Sequence, residues 1–329
     1  MNNSDLHPGL EGVGVAETRL SAIDGEHGAL VIGGYPLGDL APNATFEESV
    51  YLLLNDRLPG PKELNHFRAD LAGRRSLPEA VVPVLRRAAA ENTPAMDALR
   101  MGLATATLRS DGDGPDAGDE AAARRVIAVI PTIVAAYWRL RQDKHPVAPR
   151  ADLGHAANYL YMLTGTEPPP ADVRGLETYL NTVIDHGLNA STFTARTVVS
   201  TESDLVSAAT AAVGALKGPL HGGAPGPVLE MLKTIHRNGD PEEYVRKQLN
   251  AGDRLMGFGH RVYRARDPRA HVLSSAAERF YADAGNEDFF ETAREVEAVG
   301  TRLLAQHKPN RPLKTNVEFY TAVLLHGIG

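Results

Sequence analysis

Beyond residue 45 the apolar residues of this chain recur at helical spacing, segment after segment, between residues that open or break helices. Thr45-Phe-Glu-Glu reads as an N-cap leading into Val50, Leu53 and Leu54. Pro59 and Pro61 mark the next break. The pattern predicts further helices at 62–73, 79–91, 95–109, 120–141, 152–163, 171–185, 190–200, 203–216, 225–237, 241–250, 270–284, 287–306 and 316–327. Only residues 10–40 read as small strands and turns, their short apolar runs separated by Gly25, Gly28, Gly33, Gly34 and Gly38. Strands are too scarce for a parallel sheet. The expected fold class is mainly α with a small N-terminal β element.

At 329 residues the chain is long enough for two domains. Thirty-four basic residues against 41 acidic ones leave a formal charge of −7, which argues against a general nucleic-acid or membrane-surface binder. There is no cysteine, so disulfides, thiolate nucleophiles and cysteine metal sites are excluded. That usage fits a reducing compartment, and the expected location is cytoplasmic. The opening residues are polar and lack the apolar core of a signal peptide. The longest apolar stretch, Val126 to Trp138, contains Pro131 and is too short to span a bilayer; it reads as a buried helix. The acidic, Gly-rich segment that starts at Ser110 reads as a solvated loop.

Two Gly-bracketed histidines carry the strongest chemical signal, His221 in GPLHGG and His260 in GFGHRVY. Glycine lets backbone approach a ligand, and histidine donates or accepts a proton near neutral pH. A helix expected from about Pro225 would place His221 near its N-terminus, where the dipole favours neutral imidazole. A neutral imidazole can donate to a developing oxyanion. GFGH lacks the third glycine of a dinucleotide loop and reads as an open loop that aims His260. Arg261, Arg264 and Arg269 beyond it could hold phosphate or carboxylate, whereas Arg266 reads as part of a solvated face. In DHGLNASTF, Asn189 is a natural N-cap and Asp185 could orient a histidine, while His186 has no structural explanation. Glu318 opens the last apolar segment. Desolvation there would raise its pKa and suit a general base, although, taken alone, the segment reads better as a first-turn glutamate favoured by the helix dipole. No HExxH, EF-hand, GxSxG or P-loop pattern is present, and the histidines lack ligand spacing, so no metal is expected.

DHGLNASTF, GPLHGG, GFGHRVYRARDPRA and NVEFYTAVLLHGIG, in that order and spacing, resemble the motifs of the citrate synthase family. The opening GLEGVGVAETRLSAIDGEHGALVIGGY and the segments RRVIAVIPTIVAAYWR and GHAANYLYMLTGTEP are also similar, so the resemblance spans nearly the whole chain. It implies a two-domain helical fold, with a large domain over 1–221, a small domain over 222–320, and a return to the large domain at 321–329. It implies a homodimer whose cleft closes on oxaloacetate and then acetyl-CoA, with no metal or cofactor, no nucleic acid and no membrane. His221 matches the histidine that hydrogen-bonds the thioester oxygen, and His260 the one that polarises and protonates the ketone. Glu318 stands where the family writes the aspartate base of its NVD motif. His186 and Arg269 match residues that bind oxaloacetate. Leu255, Met256, Gly257, Phe258 and Gly259, through their backbone, and Arg264 and Lys314 match the neighbourhood of the CoA site.

Two features depart from the family pattern. Glu318 adds a methylene to the base. Beyond Gly329 the family continues with arginines that grip substrate carboxylates, and none stands in this sequence. The expectation is a family member lacking that C-terminal segment, either a piece of a longer protein or a curtailed relative. The expected function is condensation of acetyl-CoA with oxaloacetate. Two alternatives stand beside it: a 2-methylcitrate synthase using propionyl-CoA, or a non-catalytic relative that binds acyl-CoA or oxaloacetate.

Overall fold

The computed structural model describes residues 7, 13–106, 118–219, 221–260, 262–285, 287–309 and 313–329. Most of the acidic Gly-rich loop, the last residues of the helix expected at 95–109, Leu220 and Arg261 lie outside the described residues; the loop's last residues, from Gly118, instead open the helix that follows.

Three short strands come first: β1 (Ser21–Asp24), β2 (Ala29–Ile32) and β3 (Tyr35–Pro36). They form one antiparallel sheet, with Ser21 opposite Ile32, Asp24 opposite Ala29 and Val31 opposite Pro36. Fifteen helices follow among the described residues. They are α1 (Leu37–Leu40), α2 (Phe46–Asn55), α3 (Pro61–Gly73), α4 (Val81–Ala90), α5 (Ala95–Thr105), α6 (Gly118–Leu140), α7 (His155–Thr164) and α8 (Pro170–Thr182). After these come α9 (Ala190–Val199), α10 (Leu205–Leu216), α11 (Pro225–Asn238), α12 (Pro241–Asn250), α13 (Pro268–Ala284), α14 (Asp288–His307) and α15 (Val317–Ile328). The mainly α expectation holds, and the β element is the small N-terminal sheet.

Local chemistry sets most helix starts. Thr45 and Glu48 form a reciprocal capping box at α2. Proline occupies the first turn of α3, α8, α11, α12 and α13, where its missing N–H costs nothing. Asn189, Asp204, Asp240, Asp267 and Asn316 cap the helices that follow them. Two boundaries differ from the sequence pattern in ways that matter for function. The helix expected to 185 stops at Thr182, because Ile184 leaves the helical path to pack under the sheet. Residues 183–189 are thereby released as a loop carrying His186. The helix expected from 270 begins at Pro268, which places Arg269 in its first turn.

The largest apolar core lies among α11 to α15, around Val228, Leu232, Leu273, Phe319 and Val323. A second unites α4, α5, α6 and α10 through Leu85, Leu103, Ile133 and Val213. The stretch Val126–Trp138 lies inside a longer helix than its apolar residues alone indicate. By length and hydropathy α6 would suffice to cross a membrane. In the fold it packs against α4, α5, α7 and α10, and its Arg124 pairs with Asp70 at 3.2 Å.

The sheet acts as a brace. Leu30 and Ile32 point into a small core with Leu37, Leu52 and Val272. Ser21 Oγ accepts the Gly187 N–H at 3.1 Å, and Gly25 O accepts the Arg264 N–H at 2.8 Å. A Cβ at Gly25 would stand 2.5 Å from Val262 O, so only glycine allows this approach. One hairpin therefore holds both the loop of His186 and the loop beyond His260.

Candidate active site

The site is assembled around the first turn of α13. Asp267 caps that helix by accepting the Arg269 N–H at 3.0 Å. The same carboxylate clamps the Arg269 guanidinium twice, at 3.1 and 2.9 Å. Its Oδ2 also accepts the Val317 N–H at 3.1 Å, across 50 residues of chain. A buried, unpaired carboxylate would be costly; here the arginine side chain and two backbone N–H groups offset its desolvation.

His260 faces this arginine. Its Nδ1 accepts backbone N–H bonds from Val262 at 3.0 Å and Tyr263 at 3.2 Å. A neutral imidazole that accepts at Nδ1 carries its proton at Nε2. Nε2 lies 3.1 Å from Arg269 Nη2, which is itself a donor. Two donors therefore converge on one point, and an oxygen bearing negative charge placed there would accept from both. Burial pushes the His260 pKa down, Asp267 opposes that, and Arg269 adds to it. The ring stays neutral and donates at Nε2 near pH 7.

His186 completes the cluster. Its Nε2 lies 3.0 Å from the Tyr263 hydroxyl, and its ring meets that of His260 edge-on at 5.7 Å. Burial first, then Arg269 and His260, push its pKa down to about 4. Asp185 does not orient it; Asp185 Oδ1 instead accepts the Gly187 N–H at 3.1 Å. Tyr263 stacks against His260 at 4.8 Å and lies under the Arg269 guanidinium at 5.9 Å. Burial lifts its phenol to about 12.

Glu318 comes from α15, whose start is laced to the His260 loop. Gly259 N–H donates to Lys314 O at 2.7 Å, and Asn316 N–H to Gly257 O at 3.0 Å. Asn316 Nδ2 donates to Gly259 O at 2.9 Å, while its Oδ1 accepts the Glu318 N–H at 3.1 Å. Gly257 and Gly259 have φ of 82° and 85°, the region that favours glycine. Glu318 is thus both a first-turn residue and a half-buried carboxyl. Burial raises its pKa, and Asp267 adds to that while Arg269 opposes it.

His221 sits apart. Its Nε2 lies 2.5 Å from Ser191 Oγ, in the first turn of α9. The α11 N-cap is Ala224, so His221 occupies the preceding turn rather than the helix end. Among the described residues, no hydrogen bond or ring contact joins it to His186, His260 or Glu318. The link runs along the chain, since Ser191 follows His186 by five positions.

Of the expected CoA residues, Leu255 and Phe258 bury their side chains in the large core, and Met256 packs at its edge. The carbonyl of Gly257 and the N–H of Gly259 are already paired with the 314–316 segment. Arg264 and Lys314 are exposed, and Arg264 stands 3.8 Å from Glu26. Arg266 is exposed, as its neighbours in the chain suggest, and it also pairs with Glu297 at 2.9 Å. Tyr263, Asp267 and Ser191 are the members of the assembly that sequence reasoning passed over. The helix was expected from 270, so Asp267 was read neither as its cap nor as the carboxylate that ties Arg269 to α15.

This arrangement can be set beside known proteins. The family model for the citrate synthase C-terminal domain matches residues 9–329. The chain belongs to the citrate synthase family. It is 41% identical over 333 residues to the citrate synthase of Haloferax volcanii, covering 99% of this chain and 86% of that protein. The crystal structure of citrate synthase from Pyrobaculum aerophilum superposes with a TM-score of 0.88 at 37% identity, covering 98% of this chain and 82% of that one. The citrate synthase of Thermoplasma acidophilum, in ternary complex with carboxymethyl coenzyme A and oxaloacetate, superposes with a TM-score of 0.86 at 28% identity, covering 99% of this chain and 85% of that one.

Proposed function

We propose that this citrate synthase family member condenses acetyl-CoA with oxaloacetate and water to give citrate and CoA. The observation that carries the reading is the pair of donors, His260 Nε2–H and Arg269 Nη2–H, converging 3.1 Å apart beside the half-buried Glu318 carboxyl. Arg269 and His186 would hold a carboxylate of oxaloacetate, and His260 would donate to its ketone oxygen. Glu318 would take a proton from the thioester methyl while His221 donates to the thioester oxygen. The enol carbon then attacks the ketone carbon, and the ketone oxygen takes the His260 proton. Water hydrolyses the citryl thioester and CoA leaves. Each charge that develops has a protein donor or acceptor, so this route needs no metal and no cofactor.

His221 and Glu318 have to face the same thioester for this chemistry. The boundary that the family pattern sets between 1–221 and 222–320 falls at His221 itself, and closure of these two parts would bring the groups together and exclude water. The remaining residues, 321–329, would rejoin the large part. Arg264 and Lys314 would offer charge to CoA phosphates. A homodimer is supported by α9, which buries no residue and exposes Phe193 and Val199 beside an apolar groove shared with α6 and α10. The absence of cysteine suits a cytoplasmic setting.

The test is CoA-thiol release from acetyl-CoA and from propionyl-CoA, each with and without oxaloacetate and chelator. Oxaloacetate-dependent release from acetyl-CoA, unchanged by chelator, is expected. Faster release from propionyl-CoA would move the reading to 2-methylcitrate formation. Binding of oxaloacetate without any release would make the chain a non-catalytic relative.

A further inference from the structure

Glu297 lies on α14, outside both segments that carry the proposed catalytic groups. Its carboxylate nevertheless holds one residue of the first segment and two of the second. Oε1 accepts from Thr315 Oγ1 at 2.5 Å and pairs with Arg266 Nη2 at 2.9 Å. Oε2 accepts from the Tyr320 hydroxyl at 2.5 Å. Arg266 belongs to the loop between His260 and Arg269, while Thr315 and Tyr320 flank Glu318. Thr315 and Tyr320 are both buried. Burial and the Glu297 charge drive the Tyr320 phenol upward, so it remains a donor.

We infer that Glu297 is a positioning residue that fixes the Glu318 carboxyl relative to the ketone-activating loop. The inference rests on the roles proposed above for Glu318 and His260. Its physical basis is a second point of attachment. Asp267 already ties Arg269 to the Val317 N–H, and one such tie leaves the two segments free to pivot about it. Glu297 joins the same two segments through Arg266 on one side and Thr315 and Tyr320 on the other, which removes the pivot. None of its partners is a group proposed to touch substrate, so its effect passes through geometry. Charge-assisted bonds to one carboxylate are strong enough to hold such a register.

The experiment compares the parent chain with Glu297→Gln and Tyr320→Phe. In Glu297→Gln, kcat for oxaloacetate-dependent CoA release should fall about tenfold to a hundredfold, the scale of a misplacement near 1 Å. Oxaloacetate affinity by calorimetry should stay within about twofold, because its proposed ligands are untouched. Tyr320→Phe, which loses one hydroxyl, should show a smaller loss of the same kind, and it serves if the glutamine variant fails to fold. Parent-like kcat in both variants, or loss of kcat in step with oxaloacetate affinity, overturns the inference. Hydrogen exchange provides a readout independent of turnover: peptides over 262–269 and 314–320 should exchange faster in Glu297→Gln. Unchanged exchange overturns the clamp even if the parent releases no CoA, whereas an inactive parent with faster exchange in the variant overturns only the condensation reading.

Discussion

Glu318 is the residue on which the proposed chemistry turns, and its environment gives it a distinct signature. Burial raises its pKa above the ordinary glutamate value of 4.5. The base must be ionised, so kcat/KM should decline as pH falls through a value above 4.5, higher than an exposed glutamate would give. Glu318→Gln keeps the shape and removes the proton acceptor. The expected loss is about 10²–10⁴-fold in kcat, typical of general acid–base catalysis, with oxaloacetate affinity little changed. Exchange of the acetyl-CoA methyl protons in the presence of a non-reacting oxaloacetate analogue isolates the step. Parent-like exchange in Glu318→Gln would place the base elsewhere and leave Glu318 as a helix-start residue. At this scale much was legible in advance. His186, His260, Arg269 and Glu318 were singled out by residue type and setting, and the fold gathers them. Their partner Tyr263 was not, because nothing in a local pattern says that its hydroxyl meets a ring 77 positions away.

Among the elements, α15 shows how a cap can serve a site. Asn316 uses its carbonyl oxygen to cap the helix and its amide to hold Gly259 O. Asn316→Ala removes both bonds and should cost about 1–2 kcal/mol of stability, a cap plus one net hydrogen bond. It should also lower kcat, since Glu318 sits in the turn that is freed. Asn316→Asp retains the cap acceptor but loses the amide donor to Gly259. Thermal melting and kcat for the two variants separate the bonds: stability recovered in Asn316→Asp without recovery of kcat assigns the positioning to the Gly259 contact. Equal and full activity in both variants would mean that the helix start needs neither bond to hold Glu318.

Across the whole molecule, a second polar group lies buried away from the site, where α2, α3, α7 and α8 meet. Glu47 accepts the His155 N–H at 2.8 Å, and Arg75, which follows α3, donates to Arg150 O and Leu153 O at 2.8 and 2.9 Å. Burial, then the charge of Arg75, pushes His155 down from 6.5 to about 3. Burial lifts Glu177 from 4.5 to about 7; Arg174 and Arg68 oppose this and Glu47 adds to it. The signs are opposite in their effect on stability. Below pH 6.5 the unfolded chain takes a proton that folded His155 refuses, so stability falls as pH drops toward about 3. Folded Glu177 holds a proton that the unfolded chain gives up above pH 4.5, so its contribution is lost as pH rises through about 7. Glu177→Gln removes only the second effect. Relative to the parent, its melting temperature should therefore rise with pH between 4.5 and about 7. A constant difference across that range would show that Glu177 titrates normally.

The sequence by itself determined where most helices lie and marked the candidate residues for the proposed chemistry. Caps, prolines and apolar spacing act over a few residues, so they are written locally: Thr45 with Glu48, Asn189 with Thr192, and Pro268 after Asp267. Glycine beside histidine is equally local. Tertiary packing alone decided which of these groups meet. It brought Asp267 to Val317, Glu297 to Arg266 and Tyr320, and Ser191 to His221. Those pairings depend on how whole helices dock, and docking follows from the summed burial of many apolar side chains rather than from any short run of residues. Arg266 shows the consequence. Its neighbours in the chain suggest an exposed cation, which it is, but not that Glu297, 31 residues further on, supplies the carboxylate that binds it.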